Sequence, residues 1–385
     1  MKASEGALEG VTVFDLTSGV AGPYCTRLLA GLGAEVIKIE EPPQGDVSRS
    51  VTPISPGQPT LEQSALFHHL NCGKQSVAIS LKTAEGRRLF GGLARQAQVV
   101  VEDFAPGTLD AMGLGYSSLS GENTALVMTS IAPFGQDGPY RDMRATNLTC
   151  LAMGGMLYTC GEPGREPLKV GGLQAEYLAG LNAAAATLVA VLVAEARGTG
   201  QWIDVSIVES VVTALEATAV TFSRDREVRR RQGNRHGRAH PMTILACRDG
   251  YVGVMVACDE DWELLARLAG VNELLAPRFA KGEQRLRLAE EIDALLRSFL
   301  VERTREELFH RAQELRLPFS IVLTPQEALD DPQHEARGFF TNVEHPAAGE
   351  VLQVGAPFKM SETPWRAGRA PMLGEHTENV LRERL

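Results

Sequence analysis

The stretch Leu168–Glu209, LKVGGLQAEYLAGLNAAAATLVAVLVAEARGTGQWIDVSIVE, constrains the rest of the chain most. A glycine pair, Gly171 and Gly172, precedes a single carboxylate, Glu176. A small-residue helix is predicted from there to about Ala196, and a Gly-Thr-Gly turn then leads into a strand at Trp202–Ser206. Leu181, Ala185, Leu188 and Leu192 recur every three or four residues, the period of one buried helix face. The alanines between them let other backbones approach closely. Glu176 stands where the glycine segment meets the helix start, and a carboxylate gains there from the positive helix end. On spacing alone two readings stay open: a first-turn acid that only favours its helix, or a working carboxylate.

The segments before that helix alternate. Val11–Leu16 reads as a strand, Thr17–Pro23 as a turn, Tyr24–Leu32 as a helix and Glu35–Glu40 as a second strand. The glycines of the turn do not fit GxGxxG, and Pro23 sits inside it, which argues against a nicotinamide or flavin site. Glu41–Thr60 is a Pro/Gly-rich loop. Leu66–Cys72 is a short helix, Ser76–Leu81 a strand, and Thr83 caps a helix running to about Gln96. Val99–Glu102 and Ala125–Ile131 are further strands, with helices from Thr108 and over Asn147–Met156. Alternation of this kind predicts an α/β fold, a mostly parallel sheet with helices on both faces. Ligands of such sheets bind at the carboxyl ends of the strands.

Composition shifts near Phe222. Ser223–Arg238 carries Arg224, Arg226, Arg229, Arg230, Arg231, Arg235 and Arg238, a solvated linker or a surface facing phosphate or another subunit. A strand pair around Arg248-Asp-Gly follows, then amphipathic helices at Asp261–Ala269, Gln284–Leu300 and Thr304–Leu315. From Leu317 the chain turns Pro- and Gly-rich, with β-like stretches near Phe339–Glu344 and Val351–Val354. The expected division is a large domain from 1–222 and 317–385 and a small α/β domain with its linker over 223–316.

With 385 residues, 44% of them hydrophobic, the chain can build two domains and a real core. No apolar run is expected to reach membrane-spanning length, Ala183–Val193 being short and alanine-rich, and MKASEGALEG lacks the basic and apolar regions of a signal peptide. Cys25, Cys72, Cys150, Cys160, Cys247 and Cys258 are scattered without a CxxC pair, which suits reduced thiols in the cytoplasm. The net charge of −10 argues against nucleic-acid binding. His236 and His240 are four apart, but Gly237 and Pro241 spoil a helical metal pair, so no metal is expected. His68 and His69 read as structural.

At this point the residues point to a family. LEGVTVFDLTSGVAGPYCTRLLAGLGAEVIKIE resembles the opening of the class III CoA-transferases, which include formyl-CoA transferase, carnitine CoA-transferase and α-methylacyl-CoA racemase. The likeness continues through VVVEDFAPGTLDAMGL, TSIAPFGQDGPY, AGLNAAAATLVAVLVAEARGTGQWIDVSIVES and RDGYVGV, and closes with APFKMSETPWRAGRAPMLGEHTENVL. The resemblance implies a large Rossmann-like domain built from both chain ends, a smaller inserted domain, and a homodimer of interlocked subunits. It implies CoA and acyl-CoA as substrates, a carboxylic acid as partner, and no prosthetic group.

The implied chemistry moves CoA from an acyl-CoA to a free carboxylic acid. The family's nucleophilic aspartate aligns with Glu176, which has the same nucleophile one methylene farther out. The implied CoA contacts are Val20 and Ala21 in the first turn, Ile79 and Lys82, Phe104 and Met112 as apolar walls, Arg144, and Asp103, where asparagine is common. Glu41 and Ala111 replace basic residues. RATNLTCLAMGG lacks the histidine of the racemase branch. The alternatives are an acyl-CoA isomerase, racemase or dehydratase using Glu176 as a lone base, or a non-catalytic acyl-CoA-binding protein.

Overall fold

The structure, a computed structural model, describes residues 6–51, 60–237, 239–256 and 258–385. Arg238 of the arginine-rich segment, residues 52–59 of the loop after Glu40 and the first five residues lie outside the described residues. The chain forms two compact units. The first comprises Met1–Met156, Val170–Asp225 and Pro332–Leu385; the second comprises Leu157–Lys169 and Arg226–Asp331.

Six parallel strands make the sheet of the first unit: β1 (Thr12–Asp15), β2 (Glu35–Glu40), β3 (Gln75–Ala78), β4 (Val99–Glu102), β5 (Val127–Ala132) and β6 (Trp202–Ser206). Their order is β3-β2-β1-β4-β5-β6, so the winding reverses between β1 and β4. Short β-branched runs bounded by turn residues produce them, and β4 is buried throughout because both sheet faces are covered. Successive side chains alternate faces. Val13, Val36, Val99, Val101 and Val127 enter one core with the helices Ala21–Gly31 and Gln174–Arg197. Phe14, Ile37, Val100 and Met128 enter the other with Ala84–Ala94 and Thr377–Arg384. Thr83 caps Ala84–Ala94 as expected, accepting from the Gly86 amide at 2.9 Å. The Ala21–Gly31 helix begins three residues before the expected Tyr24, because Pro23 fits a first turn whose N–H groups have no helical acceptor.

The Gln174–Arg197 helix corrects two expectations. Its buried residues are Ala175, Ala179, Gly180, Ala183, Ala184, Thr187, Ala190, Val191 and Ala194, so the packed face is the small-residue, alanine face. Leu181 and Leu192, expected inside, are 52% and 64% exposed. Close approach decides this. A Cβ on Gly180 would lie 2.5 Å from the Ala21 carbonyl oxygen, so only small residues fit against the neighbouring helix. At 24 residues this helix is also long and apolar enough to cross a membrane by length and composition, whereas no stretch was expected to be. Its alanine face lies in the core of the first unit.

The second unit holds an antiparallel sheet of β7 (Met242–Cys247), β8 (Gly250–Met255) and β9 (Phe319–Ile321). Its core gathers Val252, Trp262, Phe279, Ile292, Leu296, Leu308 and Phe319. The helix expected over Gln284–Leu300 is two, Gly282–Arg287 and Ala289–Val301, broken at Leu288 (φ −101°, ψ 22°). Residues 317–331, expected with the large domain, lie in this unit, because β9 pairs with β8.

In the remaining segment of the first unit, β10 (Phe340–His345) and β11 (Gly349–Val354) form a hairpin. The final helix Thr377–Arg384 was not foreseen. It covers the edge of β3: Ser76 donates its amide to His376 Nδ1 at 3.2 Å, and Ala78 to Thr377 Oγ1 at 3.0 Å.

Candidate active site

Glu176 lies in the first turn of Gln174–Arg197, half-buried. Burial pushes its carboxyl above the ordinary range. Leu173, at the N-cap, has no side chain that can cap the helix; instead Asn147 clamps the helix start. Its Oδ1 accepts from the Ala175 amide at 3.0 Å and its Nδ2 donates to the Gly172 carbonyl at 3.4 Å. Gly172 takes φ +72°, which glycine adopts freely. One turn after Glu176, Gly180 lies against the Ala21 carbonyl, and Tyr177 meets Tyr24 edge to face at 4.8 Å. The helix start that carries Glu176 is thereby held beside the turn that carries Val20 and Ala21, both buried.

Four of the sequence-predicted residues, Ile79, Lys82, Phe104 and Met112, line one cleft of about 160 Å³ with Ser18 and Glu41. It opens past the carboxyl ends of β1, β2, β3 and β4, at the reversal of winding, where open α/β sheets take ligands. Lys82 is exposed, and its ammonium stands 3.5 Å from Glu41, which also accepts from Ser80 Oγ at 2.7 Å. Asp103 accepts from the Ser18 amide at 3.0 and 3.1 Å, and burial raises its carboxyl well above the usual range. Arg144 is exposed and does not line the cleft. Ala111 ends the short helix Thr108–Ala111 and is exposed.

Sequence reasoning missed what lies beneath that turn. Asp15, Lys38, Asp46 and Lys74 form a chain of ions whose side chains have no solvent exposure. Lys74 reaches Asp15 at 2.9 Å, and Lys38 reaches Asp46 at 2.8 Å and Asp15 at 3.6 Å. Burial alone would raise Asp15, but Lys38 and Lys74 outweigh it and hold the carboxyl well below its usual range. Asp46 accepts from the Gly19 amide at 3.0 Å and Ser18 Oγ at 3.2 Å, and so fixes the turn immediately before Val20. Lys38 inside the apolar run of β2, with an acid closing β1, was the available signal.

The arginine-rich segment divides. Arg224 lies in the last turn of the helix Thr218–Asp225 of the first unit. In the second unit, Arg231 donates to the Tyr158 carbonyl at 2.9 Å and Arg235 pairs with Asp293 at 2.8 Å. His240 is buried with Nε2 at 2.9 Å from the same Asp293. Among the described residues no cluster of His, Cys, Asp or Glu could hold a metal ion.

Comparison with known proteins places these features in context. CoA-transferase family III matches residues 8–377. The chain is 34% identical to succinyl-CoA:mesaconate CoA-transferase of Haloarcula hispanica, over 98% of this chain and 96% of the relative. It is 33% identical to succinyl-CoA:(R)-benzylsuccinate CoA-transferase subunit BbsE of Thauera aromatica, over 96% and 92%. It is 32% identical to formyl-CoA:oxalate CoA-transferase of Streptomyces avermitilis, over 97% and 94%. Among solved structures, a CAIB/BAIF family protein from Brucella suis superposes with a TM-score of 0.90 at 30% identity, over 99% of this chain and all of that one.

Proposed function

We propose a mechanism from the premise that the chain belongs to CoA-transferase family III and is an enzyme, a class III CoA-transferase. It moves CoA from an acyl-CoA to a free carboxylic acid, with Glu176 as the nucleophile. The carboxylate attacks the thioester carbonyl, the C–S bond breaks, and a mixed anhydride and CoA thiolate result. The thiolate attacks the Glu176 carbonyl of the anhydride, releasing the first acid and leaving CoA on Glu176 as a thioester. The acceptor carboxylate repeats the two steps in reverse and regenerates Glu176. Carbonyl and thiolate exchange in pairs, and no redox change occurs.

The position of Glu176 carries this reading. It is half-buried at a helix start clamped by Asn147, one turn from the contact of Gly180 with Ala21. Burial raises its pKa, which makes the carboxylate more basic and a better nucleophile once deprotonated. The cleft of Ile79, Lys82, Phe104 and Met112 takes the CoA moiety, with Val20 and Ala21 offering backbone on its path. A CoA phosphate at Lys82 competes with Glu41. Asp103, its carboxyl raised by burial, takes the place where asparagine is common, and Arg144 supplies an exposed positive charge. For the racemase alternative Cys150 is a poor proton partner, because burial and the Glu176 carboxylate push its thiol up to about 11.

The protein works as a homodimer of interlocked subunits in the cytoplasm. Leu181, Val189 and Leu192 expose an apolar face of the Gln174–Arg197 helix that a second copy would cover, and the six cysteines are unpaired, as in a reducing compartment.

The test is Glu176→Gln, which keeps the shape and removes the nucleophile. Transfer should fall by about 10³-fold or more while CoA binding persists. Borohydride or hydroxylamine trapping with a cognate acyl-CoA should mark the wild-type peptide containing Glu176. Full transfer by the variant would rule out the covalent route.

A further inference from the structure

A cavity of about 250 Å³ opens in the first unit between the Ala21–Gly31 helix, the Ala65–Leu70 helix and β11. Arg27 lines it and is only 4% exposed. A guanidinium carries five N–H donors. Its Nε donates to Cys72 Sγ at 3.2 Å and its Nη2 to the Val354 carbonyl at 2.5 Å. Neither acceptor is a carboxylate, and among the described residues Arg27 makes no ion pair. A buried charge without a counter-charge is the exception in folded proteins.

The surroundings leave that charge standing. Burial and Arg27 push His69 down to about 4, so that wall is neutral at pH 7, and burial pushes His68 down as well. Glu350, the acid among the lining residues, is exposed. Two wall atoms are buried without a hydrogen-bond partner: Gln353 Nε2, a donor, and His68 Nδ1. Ala65, Val351 and Leu352 supply apolar wall.

We propose that this cavity binds a short aliphatic monocarboxylate, with the carboxylate on Arg27 and the tail on the apolar wall. A planar guanidinium matches a carboxylate with two parallel hydrogen bonds. One buried positive charge balances one negative charge, so a dianion would keep a charge uncompensated. The site is distinct from Glu176 yet linked to it. The ring of His69 meets Tyr177 at 6.2 Å, and Tyr177 directly follows Glu176. Free acids of this class are reactants and products of acyl transfer, so occupancy here senses their concentration and bears on the helix start that carries the nucleophile. Binding itself does not depend on the proposed covalent route.

Carbon-13 NMR titration of the full chain with [1-¹³C]propionate tests the site in the wild type, Arg27→Gln, Ala65→Leu and Glu176→Gln. The wild type and Glu176→Gln should bind alike. Arg27→Gln and Ala65→Leu should bind about tenfold more weakly or worse, the loss expected when a charge-assisted pair is removed or blocked. Thermal melts confirm folding, and if Arg27→Gln does not fold, Ala65→Leu decides. Unchanged affinity in the folded cavity variants overturns the proposal. So does loss confined to Glu176→Gln, which would put the acid at the reaction site. Inorganic phosphate displacing propionate with equal or greater affinity would also overturn it, as a general anion site.

Discussion

The two units use charge in opposite ways. The first buries it: Asp15, Lys38, Asp46 and Lys74 share one dry cluster, and Arg49 pairs with Glu40 at 2.7 Å with almost no solvent exposure. The second keeps an apolar centre around Trp262, Phe279 and Leu296 and leaves most pairs outside, as with Arg278 between Glu273 and Glu291. Buried pairs cost desolvation that their attraction only partly returns, so they are poor devices for stability. What they do here is hold a turn. Asp46 pins Ser18 and Gly19 next to Val20, at the turn between the first strand and its helix. The unit that carries Glu176 spends stability on geometry; the other packs like an ordinary core.

The largest effect should come from Asp15→Asn. It leaves Lys38 and Lys74 buried with one counter-charge fewer, at a cost of about 3–5 kcal/mol. Hydrogen exchange followed by mass spectrometry should show the loss in peptides of the first unit. A change spread equally over both units would break the comparison.

Phe279→Ala should cost about 3–5 kcal/mol through a cavity in the second core. Its loss should be the same at low and high salt. A marked salt dependence would mean that charge also shapes that core.

Glu102→Gln probes the other sign of buried charge. Burial raises the Glu102 carboxyl from 4.5 to about 7, against the lowering effect of Ser130 and the Phe104 amide. The native state therefore holds a proton that the unfolded chain releases, and stability falls as pH rises from about 4 toward about 7. Removing the acid should flatten that fall and recover up to about 3 kcal/mol at neutral pH, the worth of such a shift. Asp15, Glu40 and Asp46 are lowered instead, so their contribution is present above the ordinary carboxylate range and lost as pH falls below it. An unchanged pH slope in denaturant titrations of Glu102→Gln would contradict the assignment.

The smallest effect should come from Arg278→Ala. Its pairs are solvent-exposed, and screened pairs contribute little. The denaturation midpoint should not move measurably in physiological salt; a clear drop would show that surface pairs carry weight in the second unit.

Much of this was readable in the chain. Glu35–Glu40 and Val99–Glu102 run as strands where β-branched residues stand between turns, and Thr83 caps the helix it precedes. Thr304 closes its capping box with Glu307, in the helix predicted from that threonine. Local chemistry of this kind acts over three or four residues, and sequence displays it. The rest depended on distance. The alanine face of Gln174–Arg197 wins over the leucines only because Ala21 approaches Gly180 from 159 positions away. The four cleft residues sit together because strand order brings 79, 82, 104 and 112 to one end of the sheet. Asn147 reads in the sequence only as the start of a helix, and its clamp on Gly172 and Ala175 joins residues 25 and 28 positions apart. The cavity at Arg27 needs β11, more than three hundred residues later.

The order of segments also bears on how the protein is made. The first unit resumes at Pro332, after the whole of Arg226–Asp331 has passed into the second. The edge of β3 waits for Thr377–Arg384, and Gly73 waits for the Arg369 carbonyl, which it meets at 3.0 Å. A ribosome working from the N-terminus thus exposes a six-stranded sheet with an open edge while the second unit is completed. During that interval the strand edge at Gln75–Ala78 is the place where a chaperone would be needed, or where two nascent chains would meet.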